Sequence, residues 1–144
     1  MKILIAVDGS EHSIKALKEV LRLTGGGKIE EITLLHVFEG LLTGPIFNSD
    51  LDEEQARNLD NQLQKRGAAI LEQSAGIFSD QDYTVNTVVK QGPIAQTIVQ
   101  YAAEGNYDFI VVGSRGLSGA KKLFLGSVSN AIVQEAHTDV LVVK

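Results

Sequence analysis

The chain begins with the stretch that decides its fold, Ile3-Leu4-Ile5-Ala6-Val7-Asp8-Gly9-Ser10. An unbroken apolar run bounded by Asp-Gly-Ser is typical of a short strand buried on both faces, because a strand with one wet face would alternate. Ser10 is a favourable N-cap, and the apolar residues that follow it at helical spacing are expected to form the buried face of a helix, namely Ile14, Leu17, Val20 and Leu21. The stretch therefore predicts a buried strand, a tight turn and a helix that ends at Thr24-Gly25-Gly26-Gly27.

The rest of the chain repeats this pattern. Further apolar runs predict strands at residues 32–38, 83–89, 109–112 and 140–143, and the second of these alternates, which favours a place near a sheet edge. Helical spacing covers residues 52–74 and 127–136, and Pro93 opens another helix that ends at Gly105-Asn106. The order β-α-β-α-β-α-β-α-β predicts one α/β domain over residues 1–144, a doubly wound five-stranded parallel sheet with helices on both faces.

Composition limits the class of protein. The 144 residues suit a single domain, and 18 acidic against 13 basic residues, a net charge of −5, argue against a nucleic-acid interface. The absence of cysteine excludes disulfides and thiolate metal sites. The first apolar run is too short for a signal peptide, and no run reaches membrane-spanning length. We therefore expect a cytoplasmic protein with no membrane contact.

The glycine-rich stretch Val112-Gly113-Ser114-Arg115-Gly116 is followed, after nine further residues, by Gly126-Ser127-Val128-Ser129. Glycines allow a backbone to approach a ligand closely, and a side chain at Gly116 or Gly126 would intrude on the ligand or demand a strained φ. The first N–H groups of a helix bind anions, and the hydroxyls of Ser127 and Ser129 would add to these donors. No acidic residue occurs from Phe109 to Gln134, whereas Arg115, Lys121 and Lys122 are basic. The stretch predicts a phosphate cradle. It follows the fourth strand, so it shares the carboxyl edge of the sheet with Asp8.

Familiar phosphate motifs do not explain this cradle. The chain has no G-x-x-x-x-G-K-[ST] and no G-x-G-x-x-G after the first strand. The spacing G-2x-G-9x-G-S instead closely resembles the universal stress protein family, over the whole chain. The segments that carry the resemblance are Gly113, Gly116 and Gly126-Ser127, with Ala6-Val7-Asp8, Leu34-Leu35-His36-Val37 and Val140-Leu141-Val142-Val143. The resemblance implies a Rossmann-like fold of the adenine nucleotide α-hydrolase-like kind.

In the ATP-binding branch of that family, the ligand lies between the first and fourth strands. The resemblance places Asp8, with Ala6 and Val7, near the adenosine, and the backbone of Val37 against adenine. It places the glycine stretch beside the ribose and phosphates and the helix start on the phosphates, which assigns Val112, Gly113, Arg115, Gly116, Gly126, Ser127, Val128 and Ser129 to the site. This chain keeps every motif glycine, which places it in the binding branch by resemblance.

The leading interpretation is an ATP-binding regulator of the stress response. The sequence predicts no metal site formed by the protein, because His12, His36 and His137 show no metal-ligand spacing. A Mg²⁺ ion would instead arrive with the phosphates of ATP. No G-x-S-x-G nucleophile and no acid–base pair is visible, which favours a non-enzyme. Two alternatives stay open, a slow ATPase or other adenine-nucleotide enzyme, and a dimeric interaction module with incidental nucleotide binding. The resemblance also implies a homodimer through the last strand, which begins at Val140, and a protein partner of unknown identity.

Simpler interpretations compete at individual positions. Asp8 also suits the turn in Asp8-Gly9-Ser10, and the two roles are compatible. The glycine stretch can be read as a flexible connection. Arg115, Lys121 and Lys122 can be read as solvated surface charges, and Arg115, between two motif glycines, is the best candidate of the three for a ligand contact. The apolar loop over residues 40–47 can be a lid, a partner contact or a segment packed on the long helix.

Overall fold

The structure is a computed structural model that describes residues 1–24, 28–41, 52–116 and 125–144. Strands and helices alternate along the described chain as β1 (Lys2–Ala6), α1 (Glu11–Leu23), β2 (Glu31–Phe38), α2 (Glu53–Ala75), β3 (Thr84–Gln91), α3 (Ile94–Glu104), β4 (Phe109–Gly113), α4 (Ser127–Glu135) and β5 (Asp139–Val143). A short 3₁₀ turn, Gly76–Phe78, follows α2. The strands pair in parallel in the order β3-β2-β1-β4-β5, which confirms the predicted doubly wound α/β fold and the edge position of β3.

The continuous apolar character of β1 follows from its place in the middle of the sheet. Ile3 and Ile5 belong to one core, which α1 and α2 complete with residues such as Leu17 and Leu71. Leu4 points to the opposite core, which α3 and α4 complete with residues such as Ile98 and Ile132. Since successive side chains of a strand face opposite sides, β1 must be apolar at every position from Ile3 to Ala6.

The direction in which the sheet grows reverses next to β1. The chain places β2 and then β3 on one side of β1, and α3 then crosses to β4 on the other side. A crevice opens at the carboxyl ends of two strands where the winding reverses in this way, and ligands of doubly wound proteins bind there. Asp8, after β1, and Ser114, after β4, lie at this switch point.

Three local predictions were wrong. Ile14 is 39 % exposed, because α1 approaches the sheet through Ser13, Ala16, Leu17 and Val20 and leaves Ile14 beside that stripe. Pro93 is the N-cap of α3 rather than its first helical residue, since its ψ of 123° is not helical. β3 runs to Gln91, two residues beyond the predicted end, because its pairing with β2 continues as far as Phe38.

Some sequence predictions lie outside the described residues. These are Gly25-Gly26-Gly27 at the end of the first helix, the loop over residues 40–47 beyond Leu41, and the basic positions Lys121 and Lys122.

Candidate functional site

A cavity of about 510 Å³ opens at the carboxyl ends of the strands, between α2 on one face of the sheet and α3 and α4 on the other. This volume is within the range of sites that bind small molecules, roughly 300–1,000 Å³. All twelve residues predicted for the site line it, namely Ala6, Val7, Asp8, Val37, Val112, Gly113, Arg115, Gly116, Gly126, Ser127, Val128 and Ser129. The structure thus brings together four separate segments of the sequence. Ligand binding by these residues stays a prediction.

Asp8 lies directly against Gly116, and both residues line the cavity. Gly9, at φ +82°, turns the chain sharply after β1, and Asp8 Oδ1 accepts a hydrogen bond of 2.8 Å from Ser10 N. A Cβ at Gly116 would lie 2.7 Å from Asp8 Oδ2. Asp8 therefore forms the turn and also presents its second carboxylate oxygen to the crevice.

The glycines at 116 and 126 are not explained by backbone strain. Gly126 has φ −60°, and Gly116 is not among the described glycines with positive φ, which are Gly9 and Gly92. Of the two reasons predicted for glycine at these positions, a strained φ therefore does not apply, and intrusion on a ligand stays a prediction. Close approach of Asp8 is a reason for glycine at 116, whereas a Cβ at Gly126 would lie at an ordinary distance of 3.4 Å from its nearest neighbour, Ser114 O.

Gly113 has a packing role that the sequence did not predict. A Cβ on Gly113 would lie 2.7 Å from the carbonyl carbon of His12, in the first turn of α1. Because that atom belongs to the backbone, it cannot rotate away. Gly113 lines the cavity and also lets α1 lie directly against the end of β4.

The start of α4 faces the cavity without a side-chain cap. Gly126 is its N-cap, with no side chain to accept from the first turn. Two other helices are capped, α1 by Ser10 and α2 by a capping box at Asp52. The first N–H groups of α4 and the positive end of its dipole are therefore available to an anion.

Hydrogen bonds tie this helix start to the end of β4. Gly126 N donates to Ser114 O at 2.7 Å, and Ser129 Oγ donates to the carbonyls of Ser114 and Gly126 at 3.0 Å each. Ser129 is only 2 % exposed. The hydroxyl that we expected to add to the anion site is thus committed internally, and Ser129 offers the site its backbone.

Charged groups of both signs line the cavity. Asp8 and Glu39 are acidic, and Arg66 and Arg115 are basic. Arg115 Nε is buried and has no hydrogen-bond partner within the described ranges. A buried guanidinium nitrogen without a partner is costly, and an anionic ligand would satisfy it.

Several lining residues were missed by the sequence prediction. They are Ser13, Leu35, His36, Phe38, Glu39, Leu63, Arg66, Ile70, Ile94 and Ile98. The helical spacing of Leu63 and Ile70 does show that α2 has an apolar face. It does not show that this face extends past the strand ends, since that depends on how the helix packs.

Two further properties bear on the kind of site. Within residues 1–24, 28–41, 52–116 and 125–144, no group of three or more His, Asp or Glu side chains is arranged to hold a metal ion. None of the helices in these ranges is both long enough and apolar enough to cross a membrane.

Fold and cavity together define a doubly wound α/β protein with a small-molecule cavity at its topological switch point. The model of the universal stress protein family matches residues 1–144, and the chain belongs to that family. The universal stress protein YxiE of Bacillus subtilis is 34 % identical over 149 residues, which cover 99 % of this chain and 98 % of the relative. A universal stress protein of Methanocaldococcus jannaschii is 31 % identical over 153 residues, covering 99 % and 94 %.

Solved structures agree with this assignment. The structure of the M. jannaschii protein matches with a TM-score of 0.83 at 30 % identity, covering 99 % of this chain and 94 % of that one. A universal stress protein family member from Arabidopsis thaliana, solved with AMP bound, matches with a TM-score of 0.70 at 22 % identity, covering 100 % and 91 %. At that identity the likeness to the plant protein shows the fold alone.

Proposed function

We propose that this protein binds an adenine nucleotide, ATP above all, in the cavity at the switch point, and that nucleotide occupancy regulates its contacts in a stress response. The observation that carries the proposal is the uncapped start of α4, which faces Asp8 and Gly116 across one cavity. The AMP bound to the Arabidopsis family member supports the choice of an adenine nucleotide.

The nucleoside would occupy the part of the cavity next to β1 and β2. Val37, Ile94 and Ile98 supply an apolar wall that suits a planar base. Asp8 Oδ2 faces the crevice, and a carboxylate oxygen accepts hydrogen bonds from ribose hydroxyls.

The phosphates would lie at the start of α4. The N–H groups of Ser127, Val128 and Ser129 have no side-chain cap, and Arg115 adds a guanidinium with a buried, unpartnered Nε. A Mg²⁺ ion that accompanies ATP would be held mainly by phosphate oxygens and water, as that ion commonly is. The described residues do not supply a protein cluster for it.

We further propose a homodimer that pairs through β5. Within the described residues β5 pairs with β4, and no strand covers its other edge. Its apolar residues, from Val140 to Val143, are partly buried, and Val133 of the neighbouring α4 is 45 % exposed. An open apolar edge of this kind favours pairing with a second strand. The cytoplasmic location and the protein partner stay predictions.

The proposal is tested by titrating the purified protein with ATP, ADP, AMP and GTP, with calorimetry and native mass spectrometry as readouts. A Gly116→Val, Gly126→Val double variant places side chains against Asp8 and at the helix start. Gly76→Val is the matched control, because a Cβ at Gly76 meets nothing within 4 Å.

We expect the wild type and Gly76→Val to bind adenine nucleotide equally and the double variant to bind at least about tenfold more weakly. Circular dichroism checks that all three proteins are folded. A folded wild type that takes up no adenine nucleotide contradicts the proposal and leaves the interaction module as the better interpretation.

A further inference from the structure

Asp60 is a buried carboxylate in α2 that has no part in the proposed site, since it does not line the cavity. None of the ion pairs within the described ranges includes it. A buried charge without a cation is a costly way to stabilise a fold. Compared with apolar contacts, its hydrogen bonds add direction, because they hold their partners at a fixed distance and angle.

Three segments of the chain meet at Asp60. Its Oδ1 accepts from Leu41 N at 2.7 Å, just after β2, and its Oδ2 accepts at 3.2 Å from Nε2 of Gln91, the last residue of β3. A Cβ on Gly40 would overlap the amide nitrogen of Gln91 and lie 3.0 Å from Asp60 Oδ2. Glycine at this position therefore leaves the space through which that amide reaches α2. We call Asp60 and its two hydrogen bonds the Asp60 clasp.

The Asp60 clasp joins the walls of the cavity at the end that we assign to the nucleoside. Leu63, one turn after Asp60, lines the cavity from α2. Ile94, three residues after Gln91, lines it from the start of α3. Glu39, two residues before the clasped amide, lines it from the end of β2. Each clasped segment continues directly into a wall, so the clasp sets how far apart these walls stand.

The start of α4, which we assign to the phosphates, is held separately. The sheet order places β1 between β2 and β4, and neighbouring strands lie about 4.8 Å apart, so the ends of β2 and β4 are about 10 Å apart. The start of α4 is tied to Ser114, whose carbonyl accepts from Gly126 N and Ser129 Oγ. Movement of the clasped segments therefore changes the nucleoside end of the cavity and not the phosphate end.

We propose that Asp60 is a positioning residue for the nucleoside, and that it acts through the Asp60 clasp to hold the cavity walls at the width that a base and ribose need. The inference rests on the proposed nucleotide binding. Without the clasp, α2, the end of β2 and the start of α3 move independently. Binding of a nucleoside then carries the additional cost of ordering these segments, whereas binding of phosphate does not.

The test compares AMP, ATP and inorganic tripolyphosphate by calorimetry. Asp60→Ala removes both acceptor oxygens, and Asp60→Asn keeps one for Leu41 N. Thr33→Val is the matched control, because Thr33 is also buried and accepts from Tyr107 Oη at 2.7 Å. The control breaks a buried hydrogen bond of the same strand, β2, but away from the strand end that borders the cavity.

We expect Asp60→Ala to lose about tenfold in affinity for AMP and for ATP alike, because the two ligands share the nucleoside. Its affinity for tripolyphosphate should change by less than about twofold, since distant sites act independently. Asp60→Asn should recover most of the loss. Thr33→Val should melt at a lower temperature than the wild type but bind all three ligands as the wild type does.

Hydrogen exchange at the Leu41 amide tests the same inference without a variant. This N–H exchanges only when the Asp60 clasp opens, and AMP binds the closed form. Saturating AMP should therefore slow its exchange in the wild type at least about tenfold, whereas tripolyphosphate should not. This measurement decides the matter if Asp60→Ala fails to fold.

An unchanged AMP affinity in folded Asp60→Ala, or a Leu41 amide whose exchange AMP does not slow, overturns the inference while the proposed function stands. So does a loss that is larger for ATP than for AMP or that extends equally to tripolyphosphate, because the effect would then not be confined to the nucleoside. An equal loss of AMP affinity in Thr33→Val would show that Asp60 acts only through the stability of the fold. A wild type that binds no adenine nucleotide overturns both the inference and the proposed function.

Discussion

Gly113 and Gly116 show that neighbouring glycines of one motif meet different demands. At Gly113 the space for a Cβ is filled by the backbone of α1, and at Gly116 it is filled by the end of the Asp8 side chain. A backbone cannot yield, whereas a side chain rotates. Gly113 therefore supports the fold, and Gly116 keeps the carboxylate of Asp8 in place.

Gly113→Ala should lower the free energy of unfolding by about 1–3 kcal/mol, because the new methyl group forces α1 away from β4. Urea denaturation measures the change. Gly76→Ala is the control and should change stability by less than about 0.5 kcal/mol, since its surroundings are open. Equal stability of Gly113→Ala and the wild type would show that α1 shifts freely.

Asp60 is a second residue whose role depends on one contact. It is only 7 % exposed, and its carboxylate accepts from Leu41 N at 2.7 Å and from Gln91 Nε2 at 3.2 Å. These bonds hold the chain that follows β2 against α2, next to the cavity-lining residue Glu39.

Asp60→Ala should therefore destabilise the protein by about 1–3 kcal/mol, because it leaves the Leu41 N–H without its partner. Asp60→Asn should recover part of the loss, since its amide oxygen still accepts one bond. Thermal unfolding compares both with Asp80→Ala, at an exposed position where little change is expected. Equal melting temperatures of Asp60→Ala and Asp80→Ala would show that the hydrogen bonds of Asp60 do not stabilise the fold.

At the scale of the elements, the start of α4 has no side-chain cap, which suits the proposed anion site. Gly126 supports the helix nearly as well as a polar cap would, since glycine is only a few tenths of a kcal/mol worse at this position. It leaves the first N–H groups free. A polar residue at position 126 could cap α4, just as Ser10 caps α1 and Asp52 caps α2.

Gly126→Asp should separate stability from binding. The new carboxylate caps the first turn, so the melting temperature should stay close to that of the wild type. It also occupies the N–H groups with a negative charge, so ATP affinity should fall at least about tenfold. Calorimetry and thermal melts measure the two effects. Unchanged ATP affinity in the folded variant would exclude the start of α4 as the phosphate site.

The packing of α3 has a consequence at alkaline pH. Burial raises the pKa of Tyr101 in this helix, and Tyr107, whose ring centroid is 5.9 Å away, adds to the shift. A raised pKa means that the folded state favours the neutral phenol. This contribution to stability is complete below the pKa of an unfolded tyrosine, about 10, and is lost as the pH rises through the folded value.

Stability measured by urea unfolding should therefore fall from about pH 10 upward, and Tyr101→Phe should make this fall shallower. Other groups also titrate in this range, so the quantity to compare is the difference in free energy of unfolding between the wild type and Tyr101→Phe at each pH. If the free energy of unfolding falls with pH in parallel for the wild type and Tyr101→Phe, Tyr101 does not contribute to the loss of stability.

At the scale of the whole molecule, the open edge of β5 offers a test of dimerisation. The carbonyl of Val143 accepts from Ser114 N at 2.7 Å, so Val143 and, by alternation, Leu141 direct their backbone groups toward β4. Val142 then directs its N–H to the open edge.

Val142→Pro should convert a dimer to a monomer while the β4–β5 pairing survives, because proline removes an N–H only from the outer edge. Leu141→Pro is the contrasting variant and should destabilise the fold, since it removes a bond to β4. Light scattering after size exclusion gives the mass. A wild type that is monomeric at high concentration would refute pairing through β5.

The extent of sequence-based prediction can be judged at particular residues. The apolar run of β1 predicted a strand buried on both faces, and the spacing of Gly113, Gly116 and Gly126 predicted segments that do line one cavity. The apolar run is a property of neighbouring positions, and the shared cavity follows from the parallel order of the strands. The exposure of Ile14 was not predictable, because helical spacing does not show how closely a helix approaches its sheet.

The sequence by itself determined the type and order of the elements, and with them the edge of the sheet where the twelve predicted residues lie. Periodicity and turn residues are properties of neighbouring positions, and parallel connectivity then puts all strand ends on one side. The tertiary structure alone decided that Gly113 serves packing, that the Ser129 hydroxyl is committed, and that His36 and Arg66 reach the cavity. These facts depend on distances between segments that are remote in sequence, and only the packing of α1, α2 and α4 against the sheet sets those distances.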